Sequence, residues 1–591
     1  MCGIIGRLNY IEPVDKELFL AMRDTLTHRG PDDSGFYQSD DKRLALGHRR
    51  LSINDLSIQG RQPMSNENGS IWLTCNGEIY NYLELKSELT NLGHKFSSTS
   101  DSEVIIHGYE EWGSEVVNHL KGMFAFGIWD EKKEQLFLAR DRFGIKPLYY
   151  YLDESTFVFC SEIKAIREDK KLKKEIDYSS MCDYLIYRYV PSPKTIWHHV
   201  FKLPPAHCAT LDISGKLEVM QYWDIPIRNE SISEKELIEK IDGMLVDSVS
   251  THLLSDVPVG SFLSGGYDSS ALVYYMNRMN HSPSTFSIGF EDWIGSEHKF
   301  AETVSELFGT NQHNVVLNGG SLELTEKLAY FYDEPIADIS IIPTYVVSKL
   351  ASESVKVVFS GEGADELFCG YTWHQKSNNH QPNGLISMLK GLMSSNKAVY
   401  TTENYANAMS MGTYNNSNLS ELLDDRLHEF IPSDSKWFYK QHFKGNSNTV
   451  KTFQYMDVKC FMAELVLTKI DRASMANSLE VRVPFLDHEL FECIFKLSDK
   501  NYFKPEITKF ALHENIVKHL PPRIMDRKKQ GFVGPDKYYM DMAWYKSVLL
   551  DGNLISDNIV RKDKLESMIG QGDHWRLWKL AVLELWYSRW A

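Results

Sequence analysis

The sequence predicts two folded halves: an α+β half of antiparallel sheets in two layers with a few helices, then an α/β half built on a parallel sheet. Three observations carry this. Strand signals outnumber helical ones over roughly the first 200 residues. From about residue 235 strands and helices alternate. Between the two textures lies a polar and charged segment, IRNESISEKE (227–236). The expected domains are 2–210 and 235–591, with the junction between 205 and 235. A chain of 591 residues is in any case too long for one core.

In the first half, Leu18, Met22 and Leu26 share one face of a helix over 16–28, which Gly30-Pro31 ends. IWLTC (71–75), FAFGIWD (124–130), QLFLAR (135–140) and FVFC (157–160) are apolar or alternating, rich in β-branched and aromatic residues, and read as strands. In the second half, Leu237, Ile241, Leu245 and Val249 mark a helix. VPVGSFLSGG (257–266) is a buried strand entering a Gly-rich loop, and a helix follows from Asp268. The strands TFSIGF (285–290), HNVVL (313–317) and VKVVFSG (355–361) alternate with helices at 297–308 and near 323–332, the pattern of a parallel sheet covered on both faces. Residues from about 400 onward read as mostly helical. The Asn- and Ser-rich stretch within 372–420 reads as a mobile loop.

Composition narrows the function. Hydrophobic residues make up 43% and aromatic residues 12%, enough for a chain folded through most of its length. A formal charge of −16 supplies no field to draw a nucleic acid or an anionic membrane. No apolar run approaches the roughly 18 residues that span a bilayer, and MCGIIGRLNY lacks a signal-peptide pattern. The cytoplasm is the default expectation. The eight cysteines are scattered, with no CxxC pair, and no histidines stand at zinc spacing.

Cys2 stands apart. Removal of Met1 would leave a cysteine with a free α-amine of pKa about 7.7–8.0, partly neutral at physiological pH and able to serve as the base for its own thiol. Position alone would make it an ordinary residue after Met. Three segments change that reading. LGHRRLSIND (46–55) offers Arg50, whose planar fork suits an α-carboxylate. NGEIYN (76–81) follows a strand and offers the Asn76 amide and the Gly77 N–H, two donors for an oxyanion hole. SDSEV (100–104) offers Asp101 to an α-ammonium. Singly, Arg50 reads equally as a solvated cation, Asn76-Gly77 as a turn and Asp101 as a helix cap.

Together with HRGPDDSG (28–35) and RDRFGIKPLYY (140–150), these segments resemble the glutaminase domain of class II glutamine amidotransferases, over nearly all of residues 1–165. The resemblance implies the N-terminal-nucleophile hydrolase fold. It also implies that Cys2 attacks the glutamine amide and that Asn76 and Gly77 stabilise the tetrahedral oxyanion. Arg50, Glu78 and Asp101 would hold the amino-acid end, with the backbone of Leu51, Ser52, Ile53 and Asn54 lining the site.

SGGYDSS (264–270) joins a strand to a helix, where small residues and a helix N-terminus favour a polyanion. It lacks the GK[ST] ending of a Walker A loop, and a lone Gly-Gly is as readily a tight turn. VVFSGEGADELFCGY (357–371) gathers three carboxylates in one loop, which points to magnesium or a general base rather than to a solvated acidic surface. With LEVRVPFLDHEL (479–490) and RKKQGF (527–532), these segments resemble the synthetase domain of glutamine-hydrolysing asparagine synthetases. By that resemblance ATP is cleaved to AMP and pyrophosphate. Ser264, Gly265, Gly266, Ser269 and Ser270 hold phosphate oxygens, and Asp268 and Asp365 hold Mg2+. Phe262, Leu263, Ile288, Ser360 and Gly361 contact adenosine, Glu362 assists adenylate formation and proton removal, and Lys529 neutralises charge between the α- and β-phosphates. Lys528 is a competing assignment for that lysine, and the whole basic run also reads as a solvated face.

The expectation is a two-site enzyme taking glutamine, ATP and a carboxylate acceptor, with no nucleic-acid or membrane partner and a homodimer by family analogy. Aspartate is the family's typical acceptor. DEPIADISIIPTY (333–345) departs from the best-described asparagine synthetases, which carry an arginine nearby where Ile339 is apolar, so a uronic-acid sugar is the alternative acceptor. SGGYDSS and SGEGADE argue against a sugar-phosphate isomerising partner, since it would consume no ATP. A catalytically silent binding protein is disfavoured by the intact chemical residues.

Overall fold

The structure, a computed structural model, describes residues 1–293, 295–318, 322–375, 400–444, 449–526, 531–532 and 534–591. Among the described residues seventeen strands form three sheets. Twelve belong to the first half: β1 (Gly3–Asn9), β2 (Asp33–Gln38), β3 (Leu44–Arg50), β4 (Met64–Ser65), β5 (Ile71–Ile79), β6 (Gly122–Asp130), β7 (Gln135–Arg140), β8 (Tyr149–Leu152), β9 (Thr156–Cys160), β10 (Val200–Lys202), β11 (His207–Asp212) and β12 (Leu217–Gln221). One sheet has the order β10-β8-β9-β1-β3-β2 and the second β12-β11-β7-β6-β5-β4, and the pairings within both are antiparallel.

The two sheets face each other over a shared apolar core. Ile4, Leu46 and Phe159 from the first meet Ala125, Trp129 and Leu138 from the second. Alternation along each strand produces this, since period-two side chains turn every other residue inward. Glycine is required where the layers press closest: a Cβ at Gly127 would lie 2.4 Å from the Phe159 ring. The helices Tyr82–Asn91 and Glu103–Trp112 cover the outer face of the second sheet through Leu85, Leu89, Val104 and Ile105. The second sheet runs on past residue 210 to Gln221.

The second half holds β13 (Val259–Phe262), β14 (Ser284–Phe290), β15 (Asn311–Leu317), β16 (Val357–Phe359) and β17 (Glu480–Arg482) in the order β15-β14-β13-β16-β17, all parallel. The helices Glu234–His252, Tyr267–Arg278 and His298–Phe308 stand where periodicity places them. The helix expected over 16–28 ends at Asp24, because the next residues tighten into turns closed by Leu26 N–H onto Arg23 O and Arg29 N–H onto Leu26 O. In the expected mobile loop, Thr372–Gln375, Thr402–Ala408 and Asn416–Leu422 are helical, and 376–399 lie outside the described residues. All eight cysteines are free and buried. Among the described residues no helix is long and apolar enough to cross a membrane.

Candidate active sites

Cys2 sits at the start of β1, the strand flanked by β3 and β9 in the first sheet. Its amide N–H donates to Asn76 Oδ1 at 2.9 Å, a bond that crosses from one sheet to the other. Asn76 Nδ2 is buried and has no hydrogen-bond partner among the described residues. A buried donor left so is costly, and an oxyanion would satisfy it. Gly77 follows on β5, opposite Phe124; a Cβ there would stand 2.2 Å from Met123 O, so glycine is what lets the two strands pair here.

Burial pushes the Cys2 thiol up. The Met1 ammonium, the Leu51 N–H and the Arg50 charge pull it back without cancelling the effect. Arg50 is less free than its motif implies. Nη1 donates to Ser57 O at 2.9 Å and Nη2 to Asn54 O at 3.3 Å and to Asp55 O, so much of the fork shapes the 54–57 loop. Asn54 Nδ2 donates to Glu78 Oε2 at 2.5 Å. Asp101 Oδ2 accepts from Ile79 N–H at 2.8 Å, and burial raises its carboxyl to about 6. Burial also raises Glu78, with Asp101 and Glu480 adding repulsion that Arg482 only partly offsets. The fold thus draws Cys2, Arg50, Leu51, Asn54, Asn76, Gly77, Glu78 and Asp101 into one cluster. Ser52 and Ile53 flank it, tied outward to Asp32 Oδ2 at 2.8 Å and Asp256 N at 3.2 Å.

A buried seam of charges joins this cluster to the second half. The Met1 ammonium pairs with Glu480 at 2.7 Å. Arg482 contacts Glu480 at 2.6 Å and Glu78 at 3.3 Å. Arg29 Nε donates to Cys2 O at 3.0 Å, and its Nη1 reaches Glu162 at 2.7 Å and Asp471 at 2.8 Å. Arg472 meets Glu162 at 3.0 Å and Asp333 at 3.2 Å. Arg29 lies in the HRGPDDSG segment, yet nothing in its spacing marks it as the residue beneath the nucleophile.

In the second half, β13 runs into the loop 263–266 and the helix Tyr267–Arg278, beside a cavity of about 890 Å³. Phe262, Leu263, Ser264, Gly266, Asp268, Ser269, Ile288, Ser360, Gly361, Glu362 and Asp365 all line it. Ser264 Oγ lies 3.1 Å from Ser269 Oγ and accepts from Gly266 N–H at 3.2 Å, which closes the loop on itself. Gly265 and Ser270 are not among the lining residues. Gly265 adopts φ +70 with a would-be Cβ 2.5 Å from the Phe300 backbone, and Ser270 is fully buried behind the loop. Lys528 and Lys529 lie outside the described residues.

Sequence reasoning missed Lys509. It is buried, bonds Asp268 Oδ1 and lies 2.7 Å from Asp365 Oδ1, so one ammonium stands between the two acids expected to bind magnesium. No motif surrounds it. Glu366 was counted only as one of three loop acids; burial and then Asp365 push its carboxyl up to about 8. Arg188, Asp338 and Lys469 also line the cavity. Lys469 donates to Ser340 Oγ at 2.9 Å, and Arg188 O accepts from Ala337 N–H at 2.9 Å.

Residues 1–223 match a glutamine amidotransferase domain family and residues 240–588 the asparagine synthase family. Asparagine synthetase [glutamine-hydrolyzing] 1 of Bacillus subtilis is 33% identical, covering 100% of this chain and 96% of its own length. Asparagine synthetase [glutamine-hydrolyzing] 3 of the same organism is 30% identical over 96% and 93%. Amidase chry2 of Gibberella zeae is 27% identical over 89% and 86%. A solved allosteric regulatory enzyme of purine biosynthesis aligns with a TM-score of 0.30 at 18% identity, covering 49% of this chain and 66% of its own. The two family matches and the full-length likeness to the first of these relatives make this chain, with its two antiparallel sheets followed by a parallel one, a member of the glutamine-hydrolysing asparagine synthetase family, a carbon–nitrogen ligase that draws on glutamine.

Proposed function

We propose that the chain makes an amide from a carboxylate, with glutamine as nitrogen donor and ATP cleaved to AMP and pyrophosphate, and that the acceptor is aspartate. The observation that carries this reading is Arg29. One guanidinium holds the Cys2 carbonyl and Asp471, and Asp471 lies on the helix whose Lys469 and Ile470 line the nucleotide cavity. A nucleophile built this rigidly onto a nucleotide site suits coupled chemistry.

Once Met1 is removed, the Cys2 amine takes the thiol proton and Sγ attacks the glutamine amide. Asn76 Nδ2 and Gly77 N–H receive the developing oxyanion. Its collapse breaks the C–N bond as the Cys2 amine returns the proton to the leaving ammonia, and water then hydrolyses the Cys2 thioester to glutamate. Asp101 and Glu78 hold the substrate ammonium, and the free N–H groups of Arg50 its carboxylate. Ammonia then passes inside the protein to the second cavity. There the acceptor carboxylate attacks the α-phosphate and expels pyrophosphate, which replaces an oxide leaving group by AMP. Ammonia then attacks the acyl carbon and displaces AMP while Glu362 takes a proton from the nitrogen. Exclusion of water protects the adenylate.

Asp268 and Asp365 suit Mg2+, because both carboxylates already converge on one ammonium, that of Lys509. They would hold the ion, which supplies charge neutralisation on the phosphates. We place Lys529, or its neighbour Lys528, at the same phosphates. The domain junction falls between Gln221 and Glu234, and we expect a homodimer.

Arg188 and Lys469 give the cavity two cations for the part of the acceptor that does not react. Ile339 beside them is the feature that favours a second acceptor, a uronic-acid sugar. The test is a screen with glutamine, ATP and Mg2+ against aspartate and uronic-acid nucleotides, reading amide, AMP and pyrophosphate. Aspartate should yield the three in equal amounts. ADP and phosphate would eliminate the adenylate, and amidation of the uronic acid alone would replace the acceptor.

A further inference from the structure

The glutaminase half carries a cluster that the chemistry above does not use. His107 and Glu110 stand three residues apart on the helix Glu103–Trp112, hence on one face. His94 reaches them from the other side. Gly93, at φ +106, turns the chain out of the helix Tyr82–Asn91, and His94 N–H closes that turn onto Leu89 O at 3.1 Å. No sequence spacing shows this pair, because His94 and His107 meet only when the two helices pack.

Glu110 Oε2 is 3.0 Å from His107 Nδ1 and 3.6 Å from His94 Nδ1. One ligand atom from each of the three residues lies within 4.8 Å of the others. A tetrahedral ion with bonds of about 2.0–2.1 Å keeps its ligands about 3.3 Å apart, a spacing that these two distances bracket. The atoms facing away are also held. Glu110 Oε1 accepts from Asn66 Nδ2 at 2.8 Å. His107 Nε2 faces Glu103 Oε1 at 3.7 Å, and His94 Nε2 faces Glu111 Oε2 at 3.4 Å. Metal-bound imidazoles ordinarily point their second nitrogen at such a carboxylate. Glu103 is fixed in turn by the N–H groups of Ser97 at 2.7 Å and Ser98 at 2.8 Å.

We propose that His94, His107 and Glu110 form a site for one divalent transition-metal ion of the zinc class, remote in sequence from the nucleotide cavity. Two imidazoles and one carboxylate favour such an ion over magnesium or calcium, which prefer all-oxygen ligands. His94 and Glu110 retain side-chain exposures of 16% and 21%, so the ion has an entry path from solvent, whereas His107 at 1% is seated in the core. The bound ion would staple the 93–98 loop to the helix that begins two residues after Asp101.

The experiment uses full-length protein stripped with a chelator and then freed of it. Zn2+ is titrated calorimetrically, and Co2+ is added separately to read the visible absorption of a low-symmetry site. The wild type should take up one Zn2+ at this site and unfold at a higher temperature with it. His94→Asn and Glu110→Gln, both partly exposed and so expected to fold, should each weaken binding by about tenfold or more and lose the thermal gain. Absence of stoichiometric Zn2+ uptake, or uptake unchanged in both variants, would make the cluster an ion-pair network only and overturn the proposal.

Discussion

Asn76 Oδ1 accepts the Cys2 amide N–H at 2.9 Å, while Asn76 Nδ2 stays buried without a partner among the described residues. One end of the amide is fixed by the nucleophile's own backbone, which orients the other end as a donor. Asn76→Ala should therefore lower glutamine-dependent kcat by about 10²–10³-fold. Ammonia-dependent synthesis should persist, and Cys2→Ala should abolish the first activity while sparing the second. Equal losses in both assays, with the fold intact by circular dichroism, would remove Asn76 from the oxyanion role.

Asp101 supplies a pH test. Burial raises its carboxyl to about 6, and the charged form is the one that pairs with a substrate ammonium. Since kcat/KM reports ionisations of free enzyme, kcat/KM for glutamine should fall as pH drops through about 6. The loss should appear mainly in KM. Asp101→Asn should bind glutamine poorly at every pH and lack this acidic limb. A wild-type profile flat down to pH 5 would show that Asp101 is not titrating in the binding step.

Lys509 joins Asp268 and Asp365 where magnesium is proposed to bind. Removing one partner of a buried charge cluster costs roughly 3 kcal/mol or more. Lys509→Met should accordingly unfold at a lower temperature in magnesium-free buffer. Added Mg2+ should restore more stability to the variant than it adds to the wild type, because the ion no longer competes with an ammonium. An identical Mg2+ response in both proteins would place the ion elsewhere.

Local chemistry was what the sequence made legible. Cys2 and SGGYDSS sit at strand ends, where a few adjacent residues make the geometry, and alternation or helical period announced most of the elements around them. Asn76-Gly77, expected just after a strand, lies inside β5, which runs on to Ile79. Pairings between distant residues were hidden. Lys509 lies 241 residues from Asp268 and Arg29 lies 442 from Asp471, and neither carries a local pattern. Gly265 and Ser270 show what a motif leaves out. Both belong to the loop motif, but backbone packing against Phe300 and full burial keep them off the cavity wall. The 16–28 helix was overextended because apolar periodicity continues through Leu26, whereas tight turns reverse the chain after Asp24.

Arg188 offers the sharpest test of acceptor recognition. It holds φ +77, a left-handed conformation that a side chain adopts at a cost of about 1–2 kcal/mol. Its buried Nε has no partner among the described residues, although the residue lines the cavity proposed for the nucleotide. The backbone conformation caps the helix Tyr178–Tyr187, with Arg188 N–H donating to Tyr184 O at 2.8 Å, and the Arg188 charge acts on Asp338. The unpartnered Nε is what a substrate anion would satisfy. Glycine adopts this backbone freely, so Arg188→Gly removes the charge and relieves the strain, offset by the larger entropy of the unfolded glycine chain. Thermal stability and glutaminase activity should stay near wild type, while KM for the acceptor rises about tenfold or more, the scale of one charge-assisted hydrogen bond. If Arg188 were merely structural, the substitution would instead lower the unfolding temperature and leave acceptor KM unchanged.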